Sequence, residues 1–107
     1  MLYTPDASNY KEILPGVFMK PLTHGSKTLL CEFRLKMGAK IPEHQHPQEQ
    51  TGYLVSGALR LFGDDGEAIV EFGHSWNFKG GIRHGAEALE DSVVIEVFSP
   101  LRNDYLP

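Results

Sequence analysis

The chain has 107 residues, a formal net charge of -4 and 41% hydrophobic residues. This length and apolar content suit one folded domain, and a mildly acidic chain without clustered Lys or Arg lacks the surface that nucleic acids or anionic membranes require. No apolar run approaches the roughly 20 residues of a membrane-spanning helix, and the N-terminus lacks a secretion signal. We therefore expect a cytoplasmic protein that binds neither nucleic acid nor membrane.

Short alternating segments, separated by Gly and Pro, predict an all-β chain. In chain order, the predicted strands cover residues 17–22, 28–37, 40–46, 51–55, 58–62, 67–72, 75–78 and 93–98. About eight strands in a chain of this length predict a double-sheet jelly-roll barrel. We expect a single domain over residues 1–107, with a barrel core at about 16–99 and looser extensions at both ends.

The strand at residues 28–37 has the clearest alternation. One face carries only apolar side chains: Leu29, Cys31, Phe33, Leu35 and Met37. Cys31 is the one cysteine, so a disulfide framework is excluded and a small buried hydrophobe is the expected role. Tyr53 and Trp76 are expected to line or pack the barrel.

Two histidines on the strand at 40–46 predict a metal site. His44 and His46 are two residues apart, so both imidazoles point to one face of the strand. Gln50 has the same parity across a bend at Pro47, whereas Glu49 has the opposite parity and should point away. Same-face imidazoles are a common way to bind a divalent metal.

A fourth candidate ligand, His84, lies far along the chain in a glycine-rich stretch. Gly80 and Gly81 precede it and Gly85 follows it, so we expect a loop whose backbone comes close to the site. The two other histidines, His24 and His74, match no pattern and are expected on the surface.

These motifs resemble the cupin superfamily. From Gly38 the chain reads Gly-x5-His-x-His-x3-Gln-x6-Gly, and from Gly73 it reads Gly-x7-Gly-x2-His. The resemblance implies the double-stranded β-helix, or jelly-roll, fold and one divalent metal ion. Its ligands would be His44, His46, Gln50 and His84.

The chain departs from the family pattern at Gln50, where glutamate is usual, and at Lys79 and Ala88. Of these three departures, only Gln50 affects the metal chemistry. A neutral glutamine leaves the positive charge of the metal uncompensated, so the site should favour an additional anionic ligand or a bound hydroxide. The mixed nitrogen and oxygen set suits Zn, Mn, Ni, Fe or Co and does not choose among them.

The segment from His44 to Tyr53 resembles small single-domain cupins, including those of pectin degradation, which speed the linearisation of 4,5-unsaturated monouronates. The C-terminal tail resembles that group too, whose functional Asp, Phe and Arg correspond to Glu96, Phe98 and Arg102. This resemblance implies that Glu96 and Arg102 are catalytic and that Phe98 and Arg102 bind substrate. Glu96 and Phe98 share a strand face, and Arg102 can hold a carboxylate through two hydrogen bonds.

Two other function classes remain open from the sequence. A non-catalytic module that binds a sugar or another small ligand would keep the pocket without turnover. An iron-dependent dioxygenase would use the same ligands, with open metal positions for O₂ and substrate. The resemblance also implies a homodimer, which would cover exposed sheet edges.

Overall fold

The computed structural model describes residues 1–106, which form ten β-strands and one short 3₁₀ helix. The strands are β1 Lys11–Leu14, β2 Val17–His24, β3 Leu29–Leu35, β4 Lys40–His44, β5 Glu49–Ser56, β6 Ala58–Gly63, β7 Gly66–Glu71, β8 Ser75–Phe78, β9 His84–Ala88 and β10 Ser92–Ser99. The 3₁₀ helix spans Asn103–Tyr105. Within the described residues, no helix has the length and apolar character needed to cross a membrane.

Two antiparallel sheets build the molecule. The first has six strands in the order β1-β2-β3-β10-β5-β8, and the second has four in the order β4-β9-β6-β7. Strands distant in sequence are therefore neighbours, as in a jelly roll. The predicted jelly-roll fold is confirmed.

Strand β10 lies inside the six-stranded sheet, between β3 and β5, and shows a strict alternation. Its inward residues are buried: Ser92, Val94, Glu96 and Phe98. Glu96 is paired with Cys31 on one side and with Gly52 on the other. A carboxyl group is thus placed in the middle of an otherwise apolar inner face.

The core between the sheets depends on period-two alternation in β3. The predicted inward side chains Leu29, Cys31, Phe33 and Leu35 are all buried, at 6% exposure or less. Met37 is 70% exposed because β3 ends at Leu35 and the chain turns. The prediction that Met37 faces inward is therefore wrong.

Two strands were not predicted. Strand β1 belongs to the expected loose extension, yet it pairs with β2, and Ile13 and Leu14 pack against the core. Strand β9 includes His84, which was expected in a loop. Its sequence HGAEA contains none of the β-branched residues, Phe, Tyr or Trp that favour strands. The strand therefore depends on its pairing with β4 and β6 and not on intrinsic strand propensity.

Candidate metal centre and active-site cavity

Three histidines meet where the two sheets come together. His44 ends β4 and is paired with His84 at the start of β9, while His46 lies in the connection to β5. One nitrogen from each ring can be chosen so that all three lie within 4.8 Å of one another. His46 and His84 are 9% and 3% exposed, so the cluster is largely shielded from solvent.

Backbone carbonyl groups orient each ring. The Nδ1 atoms of His44, His46 and His84 lie 2.8, 3.0 and 3.0 Å from the carbonyl oxygens of Pro42, Gln48 and Ile82. A carbonyl oxygen only accepts, so each Nδ1 carries the proton and donates it. Each Nε2 is then left with a lone pair, as in metal-binding histidines.

Gln50 completes the cluster from the second residue of β5. Its Oε1 lies 3.0 Å from His46 Nε2 and 3.1 Å from His84 Nε2. Because both rings carry their proton on Nδ1, neither Nε2 can donate a hydrogen bond to the Gln50 oxygen. Three electron-pair donors therefore face one another, and a shared cation is what such a set accommodates. The residues fit a divalent transition metal.

The environment favours neutral His46 and His84 rings, which metal binding requires. Burial lowers the pKa of His84 to about 4, and nearby His44, His46 and Arg102 contribute in the same direction. Burial is also the main reason why the pKa of His46 is lowered, with a further contribution from the charge of Arg102. Phe78 stacks on the His84 ring, with centroids 4.4 Å apart, and adds to its desolvation.

Glu96 lies next to this cluster and is 7% exposed. Burial raises its pKa to about 8, and a hydrogen bond from the amide group of Gln50 partly opposes the shift. The amide of Gln50 therefore turns its N–H group to Glu96 and its oxygen to the imidazoles. This arrangement links the carboxyl group directly to the candidate metal centre.

Arg102 reaches the same region from the C-terminal tail. Its Nε and Nη2 donate to the two carboxylate oxygens of Asp104, at 3.2 and 2.7 Å. The guanidinium lies 5.3 Å from the Phe98 ring centroid and 4.0 Å from that of Tyr105. The side chain is only 13% exposed, so two aromatic rings and one carboxylate fix its position.

The glycine-rich connection before His84 approaches the His46 loop closely, as predicted. A Cβ at Gly80 would lie 2.3 Å from the carbonyl oxygen of Pro47, and the Gly81 N–H donates to the His46 carbonyl at 2.8 Å. His84 itself is not in this loop, because β9 begins with it. The connection therefore anchors the His46 loop while β9 positions the His84 ring.

One cavity of about 390 Å³ collects most of the predicted residues. Its wall includes His44, Gln50, His84, Glu96, Phe98 and Arg102. His46 contacts this group through Gln50 and through the Phe98 ring, whose centroid is 5.9 Å away. All seven predicted residues therefore lie at one location. Exposed His24 and His74 lie outside it.

Three residues at this location were not singled out from the sequence. Asp104 and Tyr105 hold Arg102, and Phe78 contributes to the cavity wall beside Trp76, which was expected to line or pack the barrel. The shared parity of Trp76 and Phe78 on β8 was a usable signal, and Trp76 packs inward as expected. Tyr53 does not line the barrel and is 48% exposed, because it has outward parity on β5.

Comparison with known proteins gives a consistent result. The Cupin domain family model matches residues 31–99. The chain is 26% identical, over 97% of its length and 96% of the relative, to the pectin degradation protein KdgF of Dickeya dadantii.

Solved structures agree. The structure of KdgF from Halomonas sp. superposes with a TM-score of 0.92 and 30% identity, covering 99% of this chain and 100% of that one. An RmlC-like cupin from Shewanella frigidimarina superposes with a TM-score of 0.88 over 94% of this chain and 90% of that one, and at 23% identity it supports the fold alone. With the family model matching well over half of the chain, this protein belongs to the cupin family and resembles KdgF.

Proposed function

We propose that this cupin is a metal-dependent enzyme that linearises 4,5-unsaturated monouronates released by pectin breakdown. The observation that carries the proposal is one cavity in which the buried carboxyl group of Glu96 and the guanidinium of Arg102, fixed by Asp104, lie beside the histidine cluster. The likeness to a pectin degradation protein over nearly the whole chain supports the substrate class. The native metal is left open among Zn, Mn, Ni, Fe and Co.

Arg102 would recognise the carboxylate of the sugar acid. Asp104 occupies its Nε and one Nη2 hydrogen, and a guanidinium has five N–H donors. The other donors are free of that ion pair, so the group can bind a second carboxylate. Phe98 provides a flat apolar wall beside it. Together these side chains would orient a planar, charged ring.

Glu96 would move the proton. It accepts the proton of the anomeric hydroxyl while the bond between the anomeric carbon and the ring oxygen breaks. That carbon becomes an aldehyde, and the electron pair passes to the ring oxygen, which becomes an enolate. Return of the proton to the neighbouring alkene carbon gives the ketone, so the reaction is an isomerisation without a co-reactant.

His44, His46, His84 and Gln50 would hold the metal. When bound, a divalent metal supplies a Lewis acid that stabilises negative charge developing on sugar oxygens. The hydrogen bond from Gln50 places Glu96 beside that centre.

The test is the decay of ultraviolet absorbance of 4,5-unsaturated galacturonate with metal-analysed protein. We expect faster decay than the spontaneous rate. Glu96→Gln should lower kcat by about 10²- to 10⁴-fold, the usual contribution of a general acid–base group, with unchanged metal content. His84→Ala should lose both metal and activity.

Glu71→Gln provides a matched control, because Glu71 is an exposed carboxylate at the end of the edge strand β7. It should retain full activity. Absence of acceleration by metal-loaded wild-type protein would disprove the uronate assignment. Loss of metal from Glu96→Gln would assign that residue to the metal centre instead of proton transfer.

A further inference from the structure

Among the buried side-chain nitrogen and oxygen atoms in the part of the chain that the structure describes, two have no hydrogen-bond partner: Trp76 Nε1 and Glu96 Oε2. Both residues contribute to the wall of the active-site cavity. Buried polar groups are almost always paired, because leaving one unpaired costs free energy. A donor and an acceptor unpaired in one cavity point to a bound group that satisfies them.

The register of the sheet places these two residues on either side of one position of β5. Glu96 on β10 and Trp76 on β8 are both paired with Gly52, from opposite sides of β5. The indole lies over the glycine, and its Nε1 is 2.4 Å from the position that a Cβ of Gly52 would occupy. Directly opposed Cβ positions in a sheet are about 5 Å apart, so the glutamate side chain begins close to the indole nitrogen.

We propose that Trp76 and Glu96 form a subsite for a hydroxyl group of the ligand. The indole N–H can only donate, and the unpaired Glu96 Oε2 offers a lone pair that can accept. A hydroxyl does both: it accepts from Trp76 and donates to Glu96. A ligand carboxylate has no proton to donate to Glu96 Oε2, and a hydrocarbon would leave both atoms unpaired. The carboxylate-binding group, Arg102, is separate from this pair.

The proposal defines the ligand class more narrowly and rests on the proposed function for the acidic sugar itself. The ligand is a hydroxy acid whose carboxylate binds Arg102 and whose hydroxyl binds between Trp76 and Glu96. Simple ring acids without hydroxyl groups are excluded as good ligands. Gly52 is part of the subsite, because any side chain there would displace the indole.

Trp76 is the one tryptophan of the chain, so its indole N–H resonance in ¹⁵N-labelled protein reports on the subsite directly. The probe is saturated D-galacturonate, which has the hydroxyl groups but lacks the double bond. Galacturonate should shift the indole resonance. Cyclohexanecarboxylate, a ring acid without hydroxyl groups, should leave it in place.

Calorimetry with Trp76→Phe provides the second measurement. This variant keeps an aromatic ring and removes the N–H, so the Kd of galacturonate should rise about three- to tenfold, the usual effect of one lost hydrogen bond. The Kd of cyclohexanecarboxylate should not change.

The outcomes separate the subsite from the enzyme proposal. An indole resonance that does not move up to the solubility limit of galacturonate would overturn the subsite, as would unchanged galacturonate affinity of Trp76→Phe. If either of these results is accompanied by turnover of the unsaturated uronate, the enzyme proposal is kept and the subsite is rejected. A shifted indole resonance without turnover supports the subsite and contradicts the proposed linearisation reaction.

Discussion

At the scale of single residues, burial determines how the one cysteine behaves. Cys31 is fully buried and is paired with Glu96 across β3 and β10. Burial, followed by the negative charge of Glu96, raises the pKa of the thiol to about 12. The thiolate is the reactive form, so the raised pKa keeps this group inert at neutral pH. Cys31 is therefore a packing residue next to the site.

This predicts strong protection of Cys31 from alkylation. A pKa raised from 9.0 to about 12 lowers the thiolate fraction at neutral pH roughly a thousandfold, and burial adds steric protection. Iodoacetamide should label the native protein at least a hundredfold more slowly than protein in denaturant, as followed by mass spectrometry. A Cys31→Ala, Ser56→Cys variant, with its thiol at an exposed position, should be labelled at the same rate in both states. Rapid native labelling of Cys31 would contradict the prediction.

At the scale of secondary structure, alternation predicted the strands that face solvent on one side. Strands β3 and β10 were recognisable because each alternates over at least seven residues. Strands β1 and β9 are short, and β9 lacks β-branched residues, so their pairing depends on neighbours that the local sequence does not show. Gln50 was assigned its direction correctly from parity, although β5 starts two residues earlier than predicted.

The C-terminal 3₁₀ helix could not be predicted from periodicity, because one turn leaves no pattern. Its packing is nevertheless specific. The Tyr105 ring meets Phe33 and Phe98 edge-on, with centroids 6.1 and 5.5 Å away, and lies against the Arg102 guanidinium. The Gln48 amide also donates to the Leu101 carbonyl, which attaches the tail to the His46 loop. The tail thus forms part of the cavity wall.

Removing the Tyr105 ring should therefore weaken the fold. Tyr105→Ala should lower the free energy of unfolding by about 1–3 kcal/mol, because a partly buried aromatic ring and a cation–π contact are lost. Tyr105→Phe keeps the ring and should stay within about 0.5 kcal/mol of the wild type. Urea denaturation followed by circular dichroism measures both. Equal stability of Tyr105→Ala and wild-type protein would show that the tail does not pack against the barrel in solution.

At the scale of the whole molecule, the site is assembled from distant parts of the chain. The histidines come from the region around β4 and from β9, Glu96 from β10 and Arg102 from the tail. Motif spacing and family resemblance predicted the members of this set. The ion pair of Arg102 with Asp104 could not be predicted, nor could the placement of Trp76 across β5 from Glu96, because only the turn after β10 and the register of the sheet bring these residues together.

The outer face of the six-stranded sheet leads to the last prediction, that of a homodimer. Tyr53 and Val55 on β5 are each 48% exposed, and Tyr53 is paired with Ile95 on β10, whose side chain also faces outward. Apolar side chains grouped in this way on the outer face of a sheet are typical of a protein–protein interface, where tyrosine often contributes strongly. A second copy of the chain would cover them.

Light scattering coupled to size exclusion should therefore give twice the mass of the chain. Tyr53→Glu should shift this to the mass of one chain, because a buried, unpaired carboxylate at the interface is costly. Ile69→Glu is the matched control, since Ile69 is equally apolar and 55% exposed but lies on β7 of the other sheet. It should remain dimeric. A wild-type mass of one chain at all concentrations would rule out the dimer. Dissociation by Ile69→Glu alone would place the interface on the four-stranded sheet instead.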